Sequence, residues 1–255
     1  MSYRIQLITK IPDRKDTPLH QAAKGGNLEE ARNLILSGAN IEAECFFHLE
    51  TPLHKSAFNG NLEMVKFLIQ NEAKINARNR YNQTPLHHAT IGNHGLIVDD
   101  LLQNGAEIDA QSRKGKTPLH HSAKRGNMAI VALLIKKGAE INKPNNFGWT
   151  ALHYAAKNEQ DSVAEILLKN GAEVDIKTDC GYTPLYLAIS SKTEIIIKLL
   201  LRYGADVNAS DKYGTTPLKR SISQDFNGTK LLLQYGAQTH LKNQIDGNTA
   251  LHKIK

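Results

Sequence analysis

A four-residue phrase recurs through this chain with almost no drift. "TPLH" begins at Thr17, Thr51, Thr84 and Thr117, "TALH" at Thr150, "TPLY" at Thr183, "TPLK" at Thr216 and "TALH" at Thr249, so the steps are 34 residues once and 33 thereafter. A fixed period of this length means that one small supersecondary unit is repeated along the chain. A second marker follows the first seven tetrads: "SGANIEA", "NEAKINA", "NGAEIDA", "KGAEINK", "NGAEVDI", "YGADVNA" and "YGAQTHL".

The residues define the unit. Threonine is a good helix N-cap, because its hydroxyl accepts from an orphan backbone N–H. Proline directly after it suits the first helical position, where no N–H is needed. Apolar residues follow at helical spacing, as at Leu119 and Ala123, and a glycine such as Gly60 or Gly126 stops the short helix. A second amphipathic run, "NMAIVALLIKKGA", ends at Gly138. A polar, glycine-containing stretch then leads to the next tetrad, long enough for a hairpin-like finger. Each unit therefore reads as helix, turn, helix, finger. Such a unit cannot bury its apolar stripe alone, but stacked neighbours can, which predicts a linear solenoid.

With these residues in view the chain resembles the ankyrin-repeat family. The segment "SRKGKTPLHHSAKRGNMAIVALLIKKGAEINK" (112–143) matches the family pattern nearly throughout. The resemblance implies an all-α ankyrin-repeat solenoid of helix-turn-helix units with β-hairpin-like finger loops, seven near-complete repeats and a partial eighth. The expected boundaries are an extension over 1–12 and a repeat domain over 13–255, with repeats near 13–45, 46–78, 79–111, 112–144, 145–177, 178–210, 211–243 and the partial 244–255. It also implies a concave groove lined by finger tips and inner helices that binds other proteins, and no catalytic residues.

The departures are local. Glu72 and Glu159 replace helix-ending glycines, and holding a non-glycine residue in the left-handed conformation costs about 1–2 kcal/mol. Unit seven is one residue short before its glycine and one long after it, and the eighth stops at Lys255 after "TALHKIK". The expectation is that the C-terminal end frays first or that a longer array continues it.

His20, His54, His87, His120, His153 and His252 hold the fourth tetrad place, where the resemblance implies that the imidazole ties the threonine and one repeat to the next. Metal binding by the doubled His87–His88 and His120–His121 is disfavoured, since equivalent places in stacked helices lie about 8–10 Å apart. No Walker loop, G-x-S-x-G, H-E-x-x-H or paired-cysteine spacing occurs, so neither an enzyme nor a metal or other cofactor is expected. Cys45 and Cys180 lack paired spacing, which fits a reducing compartment. No window is apolar enough for a membrane span, and "MSYRIQLITKIPDRK" lacks the long apolar core of a secretory signal, so a cytoplasmic monomer is expected.

Charge and aromatic placement single out candidate contact residues. Between Asp109 and Glu140 there is no acidic residue, but Arg113, Lys114, Lys116, Lys124, Arg125, Lys136 and Lys137 supply a charge equal to the whole chain's +7. By the resemblance, Arg113, Lys114 and Lys116 sit on a finger tip and Lys124 and Arg125 end an inner helix, facing the groove with His121. Such a repeat suits an acidic segment of a partner protein; one basic repeat without an extended stripe disfavours nucleic acid. Phe46, Phe47, Tyr81, Phe147, Trp149, Tyr182 and Tyr213 fall in the finger loops, where polar residues are the norm. Phe46 and Phe47, with Leu49, stand in "CFFHLE", the finger holding the one extra residue. The function expected is a non-enzymatic protein-interaction scaffold. A second reading is a host-targeted effector or adaptor module of an intracellular bacterium, delivered into a host cytosol. The resemblance and a composition of the kind AT-rich genes encode both permit it.

Overall fold

The computed structural model describes residues 16–223, 228–243 and 247–250. The N-terminal extension and the end of the eighth repeat, with His252, lie outside the described residues. The chain divides into two compact units, Met1–Arg113 and Lys114–Lys255. Among the described residues the regular structure is helical, with no strand.

The first unit holds α1 (Pro18–Gly25), α2 (Leu28–Leu36), α3 (Pro52–Asn59), α4 (Leu62–Gln70), α5 (Pro85–Gly92) and α6 (Gly95–Gln103). The second holds α7 (Pro118–Arg125), α8 (Met128–Lys136), α9 (Ala151–Lys157), α10 (Asp161–Lys169), α11 (Pro184–Ser190), α12 (Glu194–Arg202), α13 (Pro217–Ser223) and α14 (Gly228–Gln234). Within each unit the first helix of a pair packs on its own second helix and on the first helix of the next pair, as in an all-α solenoid. The pattern follows from where the apolar residues fall. Each tetrad leucine, from Leu19 to Leu218, is buried, and the second helices bury Met64, Val65 and Leu68, then Ile97, Val98 and Leu101, then Ile130, Val131 and Leu134 at one repeating spacing. Each such large side chain contributes about 1.5–3 kcal/mol when fully removed from water.

The tetrad performs two jobs. Thr117 is extended (φ −90°, ψ 168°), Pro118 opens the helix, and the Thr117 backbone N–H donates to His120 Nδ1 at 3.0 Å. Because Nδ1 accepts, Nε2 carries the proton, and it donates to Trp149 O at 2.8 Å, in the next repeat. His20 to Glu50 O, His54 to Gln83 O and His153 to Tyr182 O repeat the tie at 2.7, 3.0 and 3.0 Å. With both ring nitrogens engaged these imidazoles are structural, as the resemblance implies. Where histidine is replaced, the tie changes chemistry: Tyr186 Oη donates to Asp211 Oδ2 at 3.2 Å, and Lys219 Nζ to Asn248 O at 3.2 Å.

The fingers are turns rather than paired strands. Asn145 N–H donates to Trp149 O, and Asn145 Oδ1 accepts from the N–H groups of Phe147 and Trp149. Asn79 and Asp211 hold their own turns in the same way. In "CFFHLE" the buried Cys45 takes this place, its Sγ accepting from Glu50 N–H at 3.4 Å, and the closing bond from Cys45 N–H to Glu50 O spans the extra residue.

Glu72 and Glu159 adopt the left-handed backbone expected of them, at φ +67° and +60°, and Asn93 and Lys192 share it at +64° and +59°. Glu72→Gly is expected to stabilise the protein by about 1 kcal/mol, since glycine escapes the left-handed strain but gains freedom when unfolded. A raised urea midpoint with an unchanged slope checks this.

Candidate functional site

In the second unit Lys116 and Trp149, one basic and one aromatic candidate, meet at Tyr154. Lys116 Nζ lies 4.6 Å from the centre of the Tyr154 ring, within cation–π range. Trp149 packs on the same ring at 5.1 Å, and Asn145 Nδ2 donates to Tyr154 Oη at 3.0 Å. Burial pushes the Tyr154 phenol up to about 12, so it stays protonated. Burial also lowers the Lys116 pKa, and the neighbouring charges of Lys124 and Lys114 lower it further. These three ammonium groups therefore share one positive field. Lys114, Lys124 and Arg125 are exposed, Lys116 and His121 half-buried, and Lys124 and Arg125 form the last turn of α7. Lys136 and Lys137 are exposed at the end of α8, where they complement its dipole.

The finger aromatics divide into two classes. Phe147 and Tyr213 stand at their tips more than two-fifths exposed, with Lys212 Nζ 5.0 Å from the Tyr213 ring centre. Trp149 and Tyr182, just before the tetrad threonine, are half-buried at the neck of the finger. Each packs on its own helix: Tyr182 stacks on Tyr186 at 4.7 Å and 14°, and Trp149 lies 6.0 Å from His153. A side chain at the neck points back along the helix it precedes, so these two are anchors of the surface before they are contacts.

In the first unit Phe46, Phe47, Leu49 and Tyr81 are exposed, Phe47 by 54%. Phe46 and Phe47 meet edge to face at 5.3 Å, and Tyr81 lies 5.8 Å from His48 of the preceding tip. Arg113 is exposed in this unit, and its backbone N–H donates to Tyr81 O at 2.8 Å.

Some residues on these faces are not apparent from sequence. Tyr154 is one; its only signal is the place after the tetrad histidine. A second is the cluster of Glu50, Lys55 and His88. Glu50 Oε2 lies 2.7 Å from Lys55 Nζ and Oε1 3.7 Å from His88 Nε2, and Asp16 stands 3.7 Å from the same ammonium. Burial works against the Lys55 charge, but the Glu50 hydrogen bond and charge, with Asp16, outweigh it and hold its pKa above the ordinary value. Lys24, Phe58 and Asn59 complete the lining of a cavity of about 230 Å³ there. No helix among the described residues is long and apolar enough to cross a membrane.

Known proteins agree with this architecture. The family described as "Ankyrin repeats (3 copies)" matches residues 19–112, 92–178 and 170–243. The crystal structure of the human ASB11 ankyrin repeat domain is similar over 88% of this chain and 99% of that one, at 26% identity and a TM-score of 0.77. No curated protein matches the chain. The chain belongs to the ankyrin-repeat family, whose repeats are protein–protein interaction modules.

Proposed function

We propose that the protein is a non-enzymatic recognition scaffold that binds an acidic segment of another protein through the Lys116–Tyr154 cluster of its second unit. The observation that carries this reading is Lys116 seated over the Tyr154 ring, on which Trp149 packs, with the charges of Lys124 and Lys114 acting on the same ammonium. The segment that supplies them has no carboxylate from residue 110 to 139. An acidic guest would relieve the mutual repulsion of the lysines, and charge of this kind steers encounter as well as fixing register. Phe147, exposed on the neighbouring tip, would bury an aromatic ring against the partner.

Capture of partners from a nuclease-treated lysate of the native cell tests the reading. The combined variant Lys114→Gln, Lys124→Gln and Arg125→Gln is expected to lose the proteins that wild type retains, and those proteins are expected to elute at rising salt. Phe147→Ala should weaken retention about tenfold or more if the ring is a hot spot, and its exposure lets it be removed without disturbing the fold. Identical protein sets on wild type and both variants would contradict the assignment.

A further inference from the structure

In the first unit the first helices of three pairs open onto a shared cavity. The last turn of α1 supplies Lys24, α3 supplies Lys55, Phe58 and Asn59, and the first turn of α5 supplies His88. Glu50 enters from the neck of its finger, just before the tetrad threonine. The space is about 230 Å³. Sites for drug-sized ligands run to about 300–1,000 Å³, so this one suits a single large side chain rather than a stretch of chain.

The hydrogen bonds of the wall show which group is left for a guest. Asn79 Oδ1 accepts from the N–H groups of Tyr81 and Gln83, which turns Asn79 Nδ2 toward His88, 3.2 Å from its Nε2. An amide nitrogen only donates, so His88 Nε2 accepts and carries no proton. It therefore has no hydrogen to give Glu50 Oε1, which lies 3.7 Å away. Lys55 Nζ sits on the other oxygen, Glu50 Oε2, at 2.7 Å, and Asn59 Nδ2 is spent on Lys55 O. Among the described residues no hydrogen bond ends on Glu50 Oε1, although the side chain is only 13% exposed. A carboxylate oxygen so far removed from water gains from a donor.

Charge and apolar surface then select the donor. Lys24 and Lys55 stand against Glu50 and Asp16, two charges of each sign. A carboxylate guest would be repelled by Glu50 and a cationic one by the two lysines, whereas a neutral N–H meets neither penalty. Phe58 is 46% exposed and meets the His88 ring edge to face at 5.9 Å, leaving an aromatic surface beside the carboxylate. Indole combines what this wall asks for: a broad apolar body and an N–H that donates and cannot accept.

We propose that this cavity takes the indole of a tryptophan from the partner protein, its ring against Phe58 and His88 and its N–H donated to Glu50 Oε1. A tryptophan seated in a desolvated pocket is the kind of anchor that dominates an interface. The proposal rests on the partner-binding reading above and adds a neutral, enclosed contact to the charged one of the second unit.

The probe is N-acetyl-tryptophan amide, titrated into the isotope-labelled full chain and followed by backbone amide chemical shifts. A control carries a methyl group on the indole nitrogen, which removes the donor and keeps the ring. The parent probe is expected to shift the amides of Lys24, Glu50, Phe58 and Asn59, and the methylated one to bind about tenfold more weakly. Phe58→Ala, at a half-exposed position that the fold does not depend on, should weaken the parent probe about tenfold or more. Glu50→Gln leaves an uncharged oxygen in the same place and should cost about fivefold. Lys114→Gln with Lys124→Gln should leave the affinity unchanged. Equal affinity for the parent and methylated probes, full binding by Phe58→Ala, or shifts confined to residues away from the cavity would overturn the proposal. So would tighter binding of N-acetyl-glutamate than of the tryptophan amide. Partner capture that still depends on Lys114, Lys124 and Arg125 alongside any of these results would leave the scaffold reading standing.

Discussion

Acidification from pH 6.5 to pH 4 is expected to cost the protein about 3 kcal/mol of stability for each of His54, His120 and His153. Burial is the main reason: it lowers all three from 6.5 to about 4, against the smaller pull of their carbonyl partners Gln83, Trp149 and Tyr182. Above pH 6.5 the imidazole is neutral in folded and unfolded chains alike, so the full stability is present. As the pH falls through the window, the unfolded chain takes up protons that the folded one refuses, and stability drops by about 1.4 kcal/mol per pH unit per histidine. Below pH 4 both states are protonated and this loss levels off. Burial shifts His20 in the same direction, whereas Asp100 and Asp175, raised by burial, work the other way toward the acid end. Urea unfolding at a series of pH values checks the slope, and a flat profile between pH 6.5 and 5 would mean that these rings are not the neutral ties described.

The second large effect concerns the finger junctions. Gly181→Ala is expected to cost about 2–4 kcal/mol and Gly138→Ala about 1–2 kcal/mol. Both glycines have positive φ, +79° and +93°, so the backbone strain of an alanine is common to them. They differ in surroundings. A Cβ at Gly181 would meet the backbone of the next tip, with Lys212 N at 2.6 Å and the Asp211 carbonyl carbon at 2.9 Å, whereas nothing lies within 4 Å of one at Gly138. The excess at Gly181 measures how firmly one tip lies on the next. Chemical denaturation of the two variants side by side reads it, and equal costs would mean that the junction gives way easily.

The helix pairs and their caps were legible because the period assigns every residue a place, whereas the histidine ties followed only from the family resemblance. Thr117 and Pro118 could be read as cap and first turn from the residues themselves, and His120 as a tie through the resemblance. The period does not say how a side chain turns within its place. Phe147 and Trp149 lie two residues apart in one finger, yet one faces solvent and the other folds onto Tyr154. The Glu50–Lys55–His88 cluster was illegible for a related reason: it joins a finger to two helices, and stacking alone brings Glu50 to His88. Cys45 shows the limit most plainly, since a thiol taking the place of Asn79 or Asp211 in the turn has no counterpart elsewhere in the chain.

The central claim is that partners engage the face carrying the Lys116–Tyr154 cluster rather than the second helices. Amide hydrogen exchange of the full chain, with and without a captured partner, tests it most directly. The account predicts new protection in residues 113–125 and 145–154, with α8, α10 and α12 unchanged. Protection confined to α8, α10 and α12, with the finger tips and α7 exchanging as before, would contradict it.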